Sequence, residues 1–410
     1  MIDTVKNNTN LQSIDQNSIV SFFLISIGLL VLLVGEITYI ARLHLFDGIS
    51  FNQLLFVITF FFTFVIISKL KIESRSFKML FFIIPISFSL LWSEDFDYGL
   101  YKIGNLFLSS YITLIFFVAA IKLTSISFLS KVILNFLMLL LIITILFKIK
   151  YGFFDREVLF FLNGPIVFAR LMGIGAMLSL VSTKPKLKVL YFIIFAMAVV
   201  WTASKGPILA LFTASLIYAT FYTNLRQKIV SSIVVLVIVL GLLVYGNPDL
   251  FKELGLIRLS DSFAYLFSEK ENLSYRSISV RWTVINGSFQ AFLTNPILGV
   301  GLGDWASNVS NLGLIYPHNF FVEVFVEGGI FLGFLFCIPY VIFLKNPKSM
   351  LFLVSFYLLS SQQVSGDILD SRYWLVFSIL CFCYKIDFRA IRPRPTNNRF
   401  SKRLKKVNYD

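Results

Sequence analysis

Histidine and cysteine are scarce in this 410-residue sequence, which contains two histidines and three cysteines. The histidines, His44 and His318, cannot build a typical zinc site without distant carboxylates. The cysteines, Cys337, Cys381 and Cys383, all lie in apolar stretches, so they indicate neither a disulfide framework nor a metal site. We therefore expect no metal and no cofactor.

Charge is scarce as well. Charged residues make up 14% of the chain, whereas hydrophobic residues make up 57% and the mean hydropathy is +0.82. Soluble domains contain about 45–50% apolar residues, so water is not the main solvent of this chain. A helix needs about 17–25 apolar residues to cross the hydrocarbon core of a bilayer, and runs of this kind recur along the sequence.

We count twelve apolar runs and predict an all-α polytopic membrane protein with about 12 transmembrane helices. The runs are 19–40, 51–68, 79–92, 103–121, 132–147, 160–182, 189–203, 207–222, 229–245, 319–343, 349–364 and 372–384. The chain then divides into helices 1–9 (1–245), a long loop (246–317), helices 10–12 (318–384) and a basic tail (385–410).

The positions of lysine and arginine predict the orientation in the membrane. Of the 36 such residues, 23 fall on one side, nine of them in the tail. Positively charged loops stay in the cytoplasm, so both termini should be cytoplasmic and the long loop should lie outside. All five tryptophans fall near the outer side, which agrees. The tail is interpreted as an orientation signal that contacts anionic membrane lipids, rather than as a nucleic-acid arm.

The long loop contains a helical pattern. Its apolar residues recur with helical spacing and predict an amphipathic helix on the outer surface: Ile278, Trp282, Ile285, Phe289 and Phe292. Arg276 and Arg281 lie beside this stripe, so Arg281 should face the lipid head groups. The alternate glycines Gly299, Gly301 and Gly303 lack the βαβ context of a dinucleotide fingerprint and predict a flexible turn.

Ionisable residues in or near a membrane span are functional candidates, because burying them is costly. Arg170 lies inside the run 160–182 and is either a phosphate ligand or one half of a structural ion pair. Lys205 precedes Gly206 and Pro207 at the predicted start of a helix. A helix N-terminus attracts phosphate, and a lysine that merely reaches for the interface is the alternative.

His318 opens the tenth run and suits a general base near neutral pH, although a hydrogen-bonded structural role is the alternative. Glu323 and Glu327 follow at an i,i+4 spacing on one helix face. They should face neighbouring helices, where they either bind substrate or hold structural hydrogen bonds.

Three segments resemble the O-antigen polymerase and O-antigen ligase superfamily of bacterial polysaccharide assembly. Tyr316-Pro317-His318-Asn319-Phe320-Phe321-Val322-Glu323, with Glu327-Gly328-Gly329-Ile330, resembles the family's His-Asn-x-x-x-Glu signature followed by Glu-x-Gly. Arg281-Trp282 through Asn295-Pro296-Ile297-Leu298-Gly299-Val300-Gly301 is similar to its Arg-then-Asn-Pro-x-x-Gly-x-Gly segment. Thr202-Ala203-Ser204-Lys205-Gly206-Pro207 is similar to a Ser-Arg-Gly segment, with lysine in place of arginine; Gly164-Pro165 through Arg170 also matches weakly.

The resemblance implies a glycosyltransferase of the GT-C type in the bacterial inner membrane, with its active site at the periplasmic face. The donor would be an undecaprenyl-pyrophosphate-linked oligosaccharide, used without nucleotide sugar or metal, and a chain-length regulator protein would be a further partner. Arg281 and His318 would be catalytic. The implied substrate-binding residues are Arg170, Lys205, Arg276, Glu323 and Glu327.

The polymerase and the ligase share these motifs and differ in the acceptor, which is another lipid-linked repeat unit or the lipid A core. We favour the polymerase. A transporter or flippase of lipid-linked sugars is the rival outside the enzyme class. It should place paired charges near the bilayer midplane on broken helices, whereas the candidate residues here gather at one face.

Overall fold

Apolar segments of the chain form helices, because a backbone without access to water must pair its own N–H and C=O groups. The computed structural model describes residues 2–33, 44–46, 49–70, 78–153, 160, 164–182, 185–221, 275–309, 314–349 and 351–384. Its α-helices are α1 (Ile2–Leu32), α2 (Phe51–Leu70), α3 (Ile84–Ser87), α4 (Phe96–Leu123), α5 (Ile126–Tyr151), α6 (Pro165–Ser182), α7 (Pro185–Trp201), α8 (Lys205–Phe221), α9 (Tyr275–Thr294), α10 (Trp305–Val309), α11 (Phe320–Val341), α12 (Phe352–Ser365) and α13 (Arg372–Cys383).

Short 3₁₀ helices adjoin several of these elements, at Met79–Ile83, Phe88–Trp92, Ile342–Lys345 and Leu369–Ser371. The strands β1 (His44–Phe46) and β2 (Ile49–Ser50) form a small antiparallel pair before α2. The fold is otherwise helical over the described residues, as predicted.

Three of the described helices are long and apolar enough to cross a membrane. They are Phe96–Leu123, Ile126–Tyr151 and Phe320–Lys345, and shorter apolar helices accompany them. Large apolar side chains cover the outside: Phe61, Leu91 and Phe331 are 65%, 80% and 65% exposed. Water does not tolerate extensive apolar patches of this kind, so this is a membrane protein. The predicted run 229–245 and the tail 385–410 lie outside the described residues.

The core places α11, α12 and α6 at the centre of the described structure. α6 packs against α5, α7 and α12, while α8 packs on α12 and α9 packs on α11. An aromatic cluster of Phe320, Phe336, Tyr340 and Trp374 joins α11 to α13, with ring centroids 4.6–6.0 Å apart. The cluster therefore packs the start of α11, two residues after His318, against α13.

Helix α11 is broken at Gly329, where φ is 65° and ψ is −174°. Only glycine adopts this backbone conformation readily. The break frees backbone groups, and the glycine segment, residues 295–303, binds them. The N–H groups of Val300 and Gly301 donate to the carbonyls of Val326 and Glu327 at 2.9 and 3.1 Å, and Ile330 N–H donates to the carbonyl of Pro296 at 2.9 Å.

The prediction of a flexible turn at Gly299, Gly301 and Gly303 is therefore wrong. All three glycines are buried and have positive φ. A Cβ atom at position 299 would overlap the backbone of Glu327, and one at 303 would crowd Gly99 of α4. The glycines permit close packing of backbone on backbone, so this segment joins α4 to the break in α11.

Candidate functional site

His318 stands at the entrance to α11 in a conformation unusual for its residue type. Its φ is 58°, in the left-handed region. Its Nδ1 atom is buried and has no hydrogen-bond partner among the described residues, and its ring meets Tyr316 edge to face at 4.5 Å. A strained backbone and an unpaired ring nitrogen are features that cluster at functional sites.

The next residue, Asn319, fixes where α11 begins. Its side-chain oxygen accepts a hydrogen bond from Val322 N–H at 3.1 Å, which caps the helix. Its amide nitrogen donates to the carbonyl of Gln363 at 2.9 Å. The Asn of the His-Asn motif thus ties the His318 turn to the end of α12.

Two guanidinium groups act on His318. Burial lowers the pKa of His318, and the positive charges of Arg281 and Arg170 lower it further. The imidazole is consequently neutral at pH 7 and is able to accept a proton. Burial also lowers the pKa of the Arg281 guanidinium, an effect that Tyr316 opposes. Arginine nevertheless remains charged at physiological pH.

Helix α9 confirms the predicted helix in the long loop. Trp282 and Phe289 are 66% and 57% exposed on one face. The opposite face is buried, where Ser288 accepts a hydrogen bond from Trp305 Nε1 at 2.9 Å. Arg281 is half-buried and interacts with His318 and Tyr316. The expectation that Arg281 faces the lipid head groups therefore does not describe its whole environment. The side chain of Arg276 lies outside the described residues.

Arg170 is the sixth residue of α6 and is 2% exposed. Its Nη1 atom lies 2.7 Å from Asp370 Oδ2, and its Nη2 atom donates to the carbonyl of Ser365 at 2.5 Å. The ion pair that the sequence left open is therefore present. Asp370 is 22% exposed at its side chain, so this pair lies at the edge of the buried region.

The acidic partners of Arg170 belong to the loop between α12 and α13, residues 366–371. Asp370 N–H donates to Asp367 Oδ1 at 2.6 Å, and Gln362 Nε2 donates to the carbonyl of Asp370 at 3.1 Å. Burial, followed by the charge of Asp370, raises the pKa of Asp367 to about 7. Burial raises the pKa of Tyr316, and Asp367 and Asp370 raise it further. The 366–371 loop thus faces the Tyr316–His318 turn.

Glu323 and Glu327 form a buried triad with Lys102 of α4. All three side chains are at most 1% exposed. Lys102 Nζ lies 2.5 Å from Glu323 Oε1 and 2.7 and 2.9 Å from the two oxygens of Glu327. The two glutamates face neighbouring helices, as predicted. This geometry favours the supporting role for them over direct contact with a ligand.

Lys205 is the first residue of α8, so it stands at a helix N-terminus as predicted, although the helix begins two residues before the predicted first helical residue, Pro207. Ala203, two residues before Lys205, has φ of 50°, so the chain turns sharply into the helix. Gly206 packs closely against Val364, at the C-terminal end of α12. Half-buried Lys205 therefore lies at the helix end nearest the 366–371 loop.

Lys102, Asp367 and Asp370 are site residues that sequence analysis did not single out. Lys102 immediately precedes the apolar run 103–121, and the two aspartates lie between the last two runs. The rule that selected His318, an ionisable residue at the mouth of a span, covers all three, but it does not distinguish them from ordinary charges at the ends of spans. The described residues contain no group of three or more His, Cys, Asp or Glu side chains able to hold a metal ion.

Comparison with protein families gives one match: residues 190–337 fit the family model described as O-antigen ligase. The match covers over a third of the chain and runs from α7 into α11. It includes Lys205, Arg281, His318 and both glutamates of the triad. The resemblance to the O-antigen polymerase and ligase superfamily is confirmed. Comparisons with curated proteins and with solved structures give no match.

The O-antigen ligase match ends before the 366–371 loop and begins after Arg170 and Lys102. The structure brings these three outlying parts against the matched region through the ion pairs and hydrogen bonds above. The site is thus built by helices from both inside and outside the matched region.

Proposed function

We propose that this chain is a membrane glycosyltransferase that transfers glycan from undecaprenyl pyrophosphate to an acceptor hydroxyl at the periplasmic face. The observation that carries the proposal is the His318 turn. A neutral imidazole with an unpaired, buried nitrogen lies under the influence of two arginines. A base beside fixed positive charge suits a reaction in which a hydroxyl loses a proton and a pyrophosphate leaves.

In the proposed reaction, His318 takes the proton from the acceptor hydroxyl as its oxygen attacks the anomeric carbon of the donor sugar. The bond from that carbon to the pyrophosphate oxygen breaks, and undecaprenyl pyrophosphate leaves with the bonding electrons. Arg281 binds the pyrophosphate and neutralises the charge that develops on it. Its half-buried position strengthens this interaction relative to one in open water.

Arg170, Lys205 and Arg276 are proposed as further phosphate contacts. Arg170 already holds Asp370, so a phosphate oxygen must displace that carboxylate or share the guanidinium with it. Lys205 supplies charge at the N-terminus of α8, where backbone N–H groups also favour an anion. Glu323 and Glu327 are proposed to support the site through Lys102.

The proposed setting is the bacterial inner membrane, with about 12 spans, a GT-C-like arrangement and both termini in the cytoplasm. Membrane lipids and, in the cell, a chain-length regulator protein are the proposed partners. The exposed apolar face of α9 agrees with a helix lying in the outer interface.

The break in α11, with buried charges beside it, is an observation that favours a transporter. In discontinuous transporter helices the freed backbone groups bind the cargo or its coupling ions. Here the glycine segment already binds the freed groups at Val326, Glu327 and Ile330. The break is therefore filled by the protein itself, which supports the enzyme.

Between the two enzymes, we propose the polymerase, which needs only copies of one lipid-linked substrate. A deletion strain separates the alternatives. Without a polymerase, surface lipopolysaccharide carries a single repeat unit. Without a ligase, long glycan accumulates on undecaprenyl pyrophosphate and the surface shows bare core. The second pattern would replace polymerase with ligase, and unchanged glycan in both lipid pools would exclude both.

A further inference from the structure

The buried triad of Lys102, Glu323 and Glu327 has no assigned part in the proposed chemistry. A buried cation between two buried carboxylates is expensive, because all three groups lose their hydration. Such a group is weak evidence for stability, and this one is connected to both sides of the site.

One connection leads to the Arg170 side of the site. Glu323 Oε1 binds Lys102, and Glu323 Oε2 accepts a hydrogen bond from Ile368 N–H at 2.9 Å. Ile368 lies in the 366–371 loop, which carries the Asp370 partner of Arg170. Glu323 therefore fixes the loop, and through it the guanidinium that acts on His318.

The other connection leads to the Arg281 side. Glu327 binds Lys102 with both carboxylate oxygens, and its backbone carbonyl accepts a hydrogen bond from Gly301 N–H at 3.1 Å. Its carboxylate also interacts with the backbone N–H groups of Gly303 and Trp305. Trp305 in turn donates to Ser288 of α9, the helix that carries Arg281. Glu327 therefore fixes the glycine segment and, through Trp305, the position of α9.

We propose that Lys102 is a positioning residue that sets both arginines of the site relative to His318. Its ammonium group binds the carboxylates of both Glu323 and Glu327, so one group of α4 contacts the supports of both flanks of the site. Lys102 touches neither substrate nor His318. Its role in transfer rests on the proposed function, whereas its effect on the site geometry does not.

The test uses the imidazole of His318 as a reporter of that geometry in the ligand-free protein. The sequence has only two histidines, so a His44→Gln background leaves His318 as the single imidazole in an NMR titration. The ionisable groups that act on it are Arg281 of α9, Arg170 of α6 and the adjacent Tyr316. If the arginines recede, the pKa of His318 rises toward the ordinary value of about 6.5.

Four variants are compared in this background. Lys102→Met removes the anchor and leaves two unpaired carboxylates, which lowers the melting temperature. Lys102→Met with Glu323→Gln and Glu327→Gln removes the anchor without leaving buried charge. Lys102→Arg keeps a cation for both carboxylates. Lys148→Met removes another fully buried lysine, in α5, whose Nζ lies 4.5 Å from the centroid of the Phe160 ring.

If Lys102 is a positioning residue, the neutral triple variant should have a melting temperature near that of wild type but a raised His318 pKa. Its kcat should fall ~10²-fold, which is the scale of a 1 Å misplacement. Lys102→Arg should restore much of both values. Lys148→Met should change neither the titration nor kcat beyond its effect on stability. A native His318 titration in the triple variant overturns the proposal, whatever its melting temperature. If the wild-type protein transfers no glycan but the triple variant still shows the raised His318 pKa, the proposed function is refuted and the positioning role stands.

Discussion

At the scale of single residues, His318 carries the proposed chemistry. Its pKa is lowered by burial and by two arginines, so the protonated, inactive form should appear only below the ordinary value of about 6.5. The transfer rate should therefore rise with pH through an apparent pKa below 6.5 and be level at pH 7. His318→Gln should lower kcat about 10²–10⁴-fold. An acid limb that persists unchanged in His318→Gln would assign the base to another group.

The pair formed by Arg170 and Asp370 gives a second residue-scale prediction. If Arg170 contacts phosphate, the Asp370 carboxylate competes with the donor for the guanidinium. Asp370→Asn removes the competing charge, so the KM for the lipid-linked donor should fall several-fold, even though the lost ion pair lowers the melting temperature. Steady-state kinetics over a range of donor concentrations measure this. An unchanged or higher KM would leave Arg170 with a structural role only.

Residue-level prediction from sequence is possible where one residue carries its own signal. His318 stands out because only two histidines exist, and Arg170 because arginine inside an apolar run is rare. Lys102 and Asp370 give no such signal, since each lies at the end of a run, where a charge in contact with water is ordinary. Their significance comes from partners more than 190 positions away along the chain, which no local pattern reveals.

At the scale of elements, the break in α11 determines how the glycine segment reaches the site. Gly329→Ala places a side chain in a conformation that only glycine adopts readily and drives its Cβ into the carbonyl of Ile297. We expect a loss of about 1–3 kcal/mol from backbone strain alone, with reduced transfer activity. The measurement is the midpoint of thermal unfolding in detergent or nanodiscs.

Gly104→Ala provides the matched control. Gly104 lies within α4, and a Cβ atom there would have no neighbour within 4 Å. Alanine favours helix by up to about 1 kcal/mol over glycine, so this variant should unfold at the same temperature as wild type or higher and retain activity. Equal losses in both variants would contradict the account of the α11 break.

Among the elements, periodicity predicted α9, and Gly206-Pro207 predicted the start of α8 to within two residues. Both patterns are local, and local hydrogen bonding determines where a helix begins. The glycine segment was predicted wrongly because alternate glycines have the same appearance in a flexible turn and in a buried strip of backbone. Only the break at Gly329, 26 to 30 residues further along the chain, distinguishes the two.

At the scale of the whole molecule, the orientation in the membrane is the prediction that places the site. The excess of lysine and arginine on one side predicts that Asn272 is periplasmic and Asn398 cytoplasmic; both lie outside the described residues. In a variant without the three native cysteines, a cysteine at 272 should react with an impermeant thiol reagent in intact spheroplasts, and one at 398 only after lysis. The reverse pattern would place the site on the cytoplasmic side and exclude the proposed reaction.

The central claim is that His318 and its two arginines catalyse glycan transfer between lipid-linked repeat units. The most direct measurement is product length after purified protein, reconstituted in liposomes, receives one undecaprenyl-pyrophosphate-linked repeat unit and no other acceptor. The account predicts a ladder of longer lipid-linked glycans with release of undecaprenyl pyrophosphate, and no ladder with His318→Gln. Transfer that occurs only after lipid A core is added would contradict the polymerase and establish the ligase, and a ladder undiminished in His318→Gln would contradict the catalytic site itself.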